Sequence, residues 1–171
     1  MTKTFRIVAA VAMALGIIAG FAAEVPQVGQ QAPDFSLPSQ EGPNVSMKQF
    51  RGKWVVLYFY PKDMTQGCTI EAHNFQQDLP KYNKANAAIV GVSVDSVDSH
   101  KEFCTKESLT FKLLADTDKK VVDQYGSLNQ RGIAARNTFL IDPSGKIAKV
   151  WTGVNPSKHS EEVLAALAAT N

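Results

Sequence analysis

The chain has 171 residues, 44% hydrophobic and 20% charged, the composition of one folded domain with its own core, which excludes a disordered chain. Its formal charge of +2 rests on Lys3 and Arg6; without them the basic count falls from 18 to 16, equal to the 16 acidic residues. No basic block remains to point to a nucleic acid.

Lys3 and Arg6 precede an uncharged run from Ile7 to Ala23 that passes through the small residues Gly20-Phe21-Ala22. This order of charge, apolar run and small residues predicts a secretory signal over residues 1–22, cut after Ala22. An uncleaved anchor is the competing reading, although the run is short against the about 20 residues a bilayer span needs. The expectation is a periplasmic or otherwise exported protein, with no stable membrane association after cleavage and one domain over residues 27–171.

Residues 23–33 are polar and read as a lead-in. Asp34–Leu37 and Asn44–Ser46 flank a turn-prone stretch and predict a hairpin. Trp54–Tyr60 is a continuous apolar run and predicts a strand covered on both faces. In the next segment Cys68, Ala72, Phe75 and Leu79 fall on one helix face. Ala87–Val94 reads as a strand, Ser96–Glu107 as a helix capped by Ser96, Phe111–Ala115 as a strand, and Asp118–Tyr125 as a short helix stopped by Gly126. Thr138–Ile141 and Ile147–Trp151 predict a second hairpin across Asp142-Pro143-Ser144-Gly145. Asn155-Pro156 reads as N-cap and first residue of a last helix with Val163, Leu164 and Leu167 inward. This order predicts an α/β domain with a mixed central sheet flanked by helices.

The chain has two cysteines, Cys68 and Cys104. In an exported protein they fit either one structural disulfide or a working redox pair. Cys68 falls in the first turn of its helix, where the dipole and unpaired N–H groups favour a thiolate. The Thr65 hydroxyl, three residues upstream, can fold back toward the sulfur. Pro61 ends the strand and has no N–H, so it can wall a pocket without competing for hydrogen bonds.

The motif Pro61-x-x-x-Thr65-x-x-Cys68 resembles the active-site signature of peroxiredoxins. The longer string from Tyr58 to Ala72 is similar to the bacterioferritin comigratory protein (PrxQ) subfamily. Ala32-Pro33-Asp34-Phe35, Val92–Asp95 with Ser99-His100, Phe111–Asp116 and Arg136–Asp142 agree with it, so the resemblance runs from about Gln30 to the C-terminus.

This resemblance implies a thioredoxin-like fold and a thiol-dependent peroxidase. It implies Cys68 as the peroxide-attacking cysteine, Thr65 and Pro61 as pocket residues, Arg136 as the arginine entering from a distant strand, and Glu71 as the carboxylate orienting that arginine. The substrates implied are hydrogen peroxide and organic hydroperoxides. The reductant implied is thioredoxin-like or glutaredoxin-like, the protein a monomer, and no cofactor or metal is expected.

Many members of the subfamily place a second cysteine five residues after the first, where this chain has His73. Others place it on the next helix, which assigns Cys104 as the resolving cysteine of an intramolecular disulfide. Gln66 stands where many members have proline.

Three other readings compete. One is a static Cys68–Cys104 disulfide. Another is a thioredoxin-type exchanger, which normally uses Cys-x-x-Cys where this chain has Glu71 at the fourth position. The third is a one-cysteine peroxidase with Cys104 incidental. A metal site from Cys68, His73, His100 and Cys104 lacks a zinc-type signature. The three histidines read as surface or helix-face residues, and Lys62-Asp63 as a solvated loop pair.

Overall fold

The structure is a computed structural model that describes residues 23–170; the predicted signal lies outside the described residues. Strands β1 (Ser36–Pro38) and β2 (Asn44–Ser46) form the expected antiparallel hairpin, followed by a 3-10 turn at Met47–Phe50. Then come β3 (Trp54–Phe59), α1 (Gln66–Lys84), β4 (Ala87–Ser93), α2 (Val97–Glu107), β5 (Lys112–Ala115), α3 (Lys120–Gln124), β6 (Asn137–Ile141), β7 (Ile147–Thr152) and α4 (His159–Ala169).

The five long strands form one sheet in the order β5-β4-β3-β6-β7. Strands β3, β4 and β5 run parallel, joined by helical crossovers, while β6 and β7 are antiparallel. The sheet is mixed and flanked by helices, as expected for a thioredoxin-like α/β fold.

Strand β3 sits at the centre, and its alternation divides the core. Val55, Leu57 and Phe59 pack with Val122, Tyr125, Phe139 and the β1–β2 hairpin on one face. Val56, Tyr58 and Tyr60 pack with Phe75, Phe103, Val163 and Leu167 from α1, α2 and α4 on the other. Both cysteines belong to this second layer. A strand buried on both sides has no reason to alternate in polarity, which is why β3 reads as an unbroken apolar run.

Two helix boundaries differ from expectation. Helix α3 starts later than Asp118 because Lys119 adopts a left-handed φ of 64° and its N–H closes a turn onto Asp116. Helix α4 starts at His159, not at Asn155-Pro156. The Asn155 side chain accepts from the Ser157 N–H at 3.0 Å and its carbonyl from the Lys158 N–H at 3.1 Å, which closes a turn instead of a helix. Asn74 of α1 donates to the Pro156 and Ser157 carbonyls and holds that turn.

Candidate active site

Helix α1 begins after Thr65, so Cys68 is its third residue, buried at the end of the segment that leaves β3. The first N–H groups of a helix have no intrahelical partner and carry its positive dipole end. Arg136, just before β6, reaches across to this point. Its Nη2 donates to Cys68 Sγ at 3.3 Å and its Nη1 to Glu71 Oε2 at 2.6 Å. The guanidinium fork thus spans two partners on adjacent turns of one helix, a geometry an ammonium group cannot reproduce.

Glu71 is buried, and its other oxygen, Oε1, has no hydrogen-bond partner. Burial raises its carboxyl; Arg136 pulls the other way through charge and hydrogen bond, and the balance leaves it raised to about 7. Gly67 makes the arginine's position available, because a Cβ there would stand 2.7 Å from Arg136 Nη2. Gly67 stands inside the family string from Tyr58 to Ala72, but the sequence gives it no role, since the contact joins residues 69 positions apart.

Thr65 is the N-cap of α1, and its hydroxyl donates to the Lys62 carbonyl at 3.0 Å, where the sequence suggested a turn toward the sulfur. Pro61 is half-buried in the same β3–α1 segment. The structure therefore joins Arg136 to both Cys68 and Glu71, and leaves Thr65 and Pro61 in the segment that leads from β3 into α1.

Cys104 lies on the buried face of α2, and both cysteines are free thiols. Burial pushes the Cys104 thiol up to about 12, and the carboxylates of Asp63 and Glu41 add to the effect. Cys68 faces a guanidinium; Cys104 faces an apolar layer with carboxylates beyond it. The two sulfurs are therefore chemically distinct.

Asp63 is buried, not solvated. Burial works to raise its carboxyl, but the hydrogen bond and charge of His100, with hydrogen bonds from Ser99 and Tyr60, hold it below the ordinary value. His100 and His159 are also fully buried, whereas His73 is exposed and pairs with Glu107 at 2.8 Å.

The sequence profile of the AhpC/TSA family matches residues 28–150. The chain belongs to this family of peroxiredoxins. A putative peroxiredoxin Bcp of Coxiella burnetii is 44% identical over 149 residues, covering 82% of this chain and 98% of that protein. The solved bacterioferritin comigratory protein of Xanthomonas campestris superposes with a TM-score of 0.79 at 35% identity, covering 84% of this chain and 99% of that one. Peroxidoxin BcpB of Mycobacterium tuberculosis gives 0.80 at 31% identity, covering 84% and 97%. This peroxiredoxin is of the Bcp/PrxQ kind and is a thiol-dependent peroxidase.

Proposed function

We propose that the protein reduces hydrogen peroxide and organic hydroperoxides in a two-cysteine cycle outside the cytoplasm. The observation that carries the reading is the Arg136 Nη2 to Cys68 Sγ contact at 3.3 Å. It sets a fixed cation against one of the two sulfurs, at the positive end of a helix.

The Cys68 thiolate attacks the terminal peroxide oxygen, an S–O bond forms, the O–O bond breaks, and the leaving oxygen takes a proton to become water or an alcohol. Arg136 holds the sulfur and the incoming oxygen through one fork, Glu71 orients that fork, and Thr65 and Pro61 border the approach. Hydrogen bonds that tighten as the O–O bond stretches favour the transition state over the ground state. The product is a sulfenic acid on Cys68, which a thiol can condense with.

Cys104 supplies that thiol. Its sulfur attacks Cys68, the S–O bond breaks, and hydroxide leaves with the thiol proton as water. A disulfide requires Cα atoms within about 7 Å, so the first turn of α1 unwinds during this step. A thioredoxin-like or glutaredoxin-like exported donor then reduces the disulfide, and the protein works as a monomer. The signal-like run from Ile7 to Ala23 supports export. The alkyl peroxide reduction activity of the Xanthomonas campestris relative supports organic hydroperoxides as substrates.

The test reacts the reduced protein, lacking residues 1–22, with one equivalent of hydrogen peroxide and follows it by stopped flow and intact mass, alongside Cys68→Ser and Cys104→Ser. Two thiols lost as one intramolecular disulfide, absent in Cys68→Ser and replaced by a sulfenic acid in Cys104→Ser, is the expected result. Undiminished turnover of Cys104→Ser with an external thiol would replace the cycle with a one-cysteine mechanism. Cell fractionation of the full chain, read for the shortened form outside the cytoplasm, tests export.

A further inference from the structure

A buried polar cluster away from the reacting sulfur ties together the two segments that carry the cysteines. Asp63 stands five residues before Cys68 in the β3–α1 segment. Its Oδ1 accepts from Tyr60 OH at 2.7 Å, and its Oδ2 accepts from Ser99 Oγ at 2.7 Å and from His100 Nδ1 at 2.8 Å. The Asp63 N–H donates to Asp95 Oδ2 at 2.9 Å, and His100 Nε2 lies 3.1 Å from the Leu114 carbonyl of β5. His100 is one helical turn before Cys104, and both belong to the inward face of α2.

Beyond this cluster the chain changes character on both sides. Met64, the next residue toward Cys68, has a left-handed φ of 57°, a region that a residue with a Cβ enters only at a cost. Ser108, four residues after Cys104, has a φ of 55° and ends α2. Opening the Asp63–His100 contact would leave a buried charge without its partner. Unwinding the first turn of α1 gives up the Arg136 hydrogen bond to Cys68 and the Thr69 N–H bond to the Thr65 carbonyl, but strands no carboxylate of its own. The cluster is therefore the costlier part to break, and the cysteine-bearing turns the cheaper.

We propose that Asp63 and His100 form a fixed pivot: they hold the β3–α1 segment against α2 while the first turn of α1, hinged at Met64, carries Cys68 to Cys104. They are positioning residues for disulfide formation and do not touch the peroxide. The inference rests on the two-cysteine cycle proposed above.

The test compares the reduced wild type with Asp63→Ala and with the milder Ser99→Ala, which removes one bond to Asp63 and no charge. Stopped flow separates the peroxide-dependent phase from the first-order disulfide phase, and intact mass reports sulfinic acid on Cys68 at excess peroxide. The peroxide-dependent rate should stay within about threefold of wild type. The disulfide phase should slow about tenfold or more in Asp63→Ala and less in Ser99→Ala. Sulfinic acid should rise in the same order, because a sulfenic acid waiting for its partner meets more peroxide.

A general loosening of the fold would slow both phases together, and that result overturns the pivot. So does a disulfide phase that is unchanged or faster. If Asp63→Ala does not fold, Ser99→Ala alone decides the question by the same two rates. Absence of any disulfide in the wild type would sink the cycle itself, and the pivot with it.

Discussion

Gly67 and Arg136 compete for the same space: a Cβ at position 67 would stand 2.7 Å from the Nη2 that donates to Cys68 Sγ. Gly67 is the second residue of α1 and has no left-handed φ, so the backbone there accepts alanine. Alanine is the better helix former by about 1 kcal/mol. Gly67→Ala should therefore still fold, with the helix gain offset by strain on the Arg136–Glu71 pair and a net loss smaller than that of removing the arginine, while its rate with peroxide falls about tenfold to a hundredfold as the guanidinium shifts. Paired measurements of thermal midpoint and second-order peroxide rate check this. A variant with the wild-type rate would mean the guanidinium position does not govern the chemistry.

Arg136→Lys tests whether the fork itself is needed. A lysine ammonium is a point charge on a flexible stem and cannot hold Cys68 and Glu71 in one planar geometry. The peroxide rate should drop about a hundredfold in Arg136→Lys and further in Arg136→Met. Arg136→Met also strands the buried Glu71 carboxyl, which should cost about 3 kcal/mol of stability near pH 8. Adding Glu71→Gln should return much of that stability and none of the rate, so urea denaturation and kinetics separate the two roles.

Glu71 gives stability a pH dependence of definite sign. Its carboxyl is raised from an ordinary 4.5 to about 7, chiefly by burial. A raised carboxyl stabilises the fold fully below the unfolded value of 4.5, and this contribution is lost as pH rises through about 7. Glu71→Gln resembles the protonated form at every pH. Its stability relative to wild type should therefore rise between pH 4.5 and 7, by on the order of 1–3 kcal/mol. Urea denaturation of both proteins across that range checks it, and a flat difference would mean that Glu71 titrates as an ordinary carboxyl.

The parts of this molecule that could be read ahead of the structure are those in which neighbours in sequence do the work. The unbroken apolar run of β3, the Ser96 cap that accepts from the Ser99 N–H at 3.2 Å, and the Cys68–Ala72–Phe75 face of α1 follow from local pattern. Arg136 and Glu71 came from the family motif, not from spacing. Asp63 and His100 were both visible inside that motif, yet their contact spans 37 positions and exists only because α2 lies beside the β3–α1 segment. The start of α4 failed for a related reason. Asn155-Pro156 carries the residue types of a helix start, but a turn bonded to Asn74 of α1 occupies those positions.

His159 should act on stability in the direction opposite to Glu71. Its ring is fully buried, edge-on to Phe75 and Trp151 at centroid distances of 5.5 and 5.8 Å. Nε2 meets Thr138 Oγ1 at 2.8 Å, while Nδ1 has no hydrogen-bond partner. Glu162 Oε2 is 4.0 Å from Nδ1, too far for a hydrogen bond. Burial accordingly pushes the imidazole down from an ordinary 6.5 to about 4. A depressed histidine contributes stability that is fully present above 6.5 and lost as pH falls through about 4. His159→Gln cannot titrate in this range and starts from a weakened core, so it should be less stable than wild type at pH 7. That gap should narrow toward pH 4 by on the order of 1–3 kcal/mol, because only the wild type must keep a ring neutral that the unfolded chain protonates. Urea denaturation of the pair at pH 7, 5.5 and 4 measures the gap; one that stays constant would place the proton on this ring in the folded protein as well.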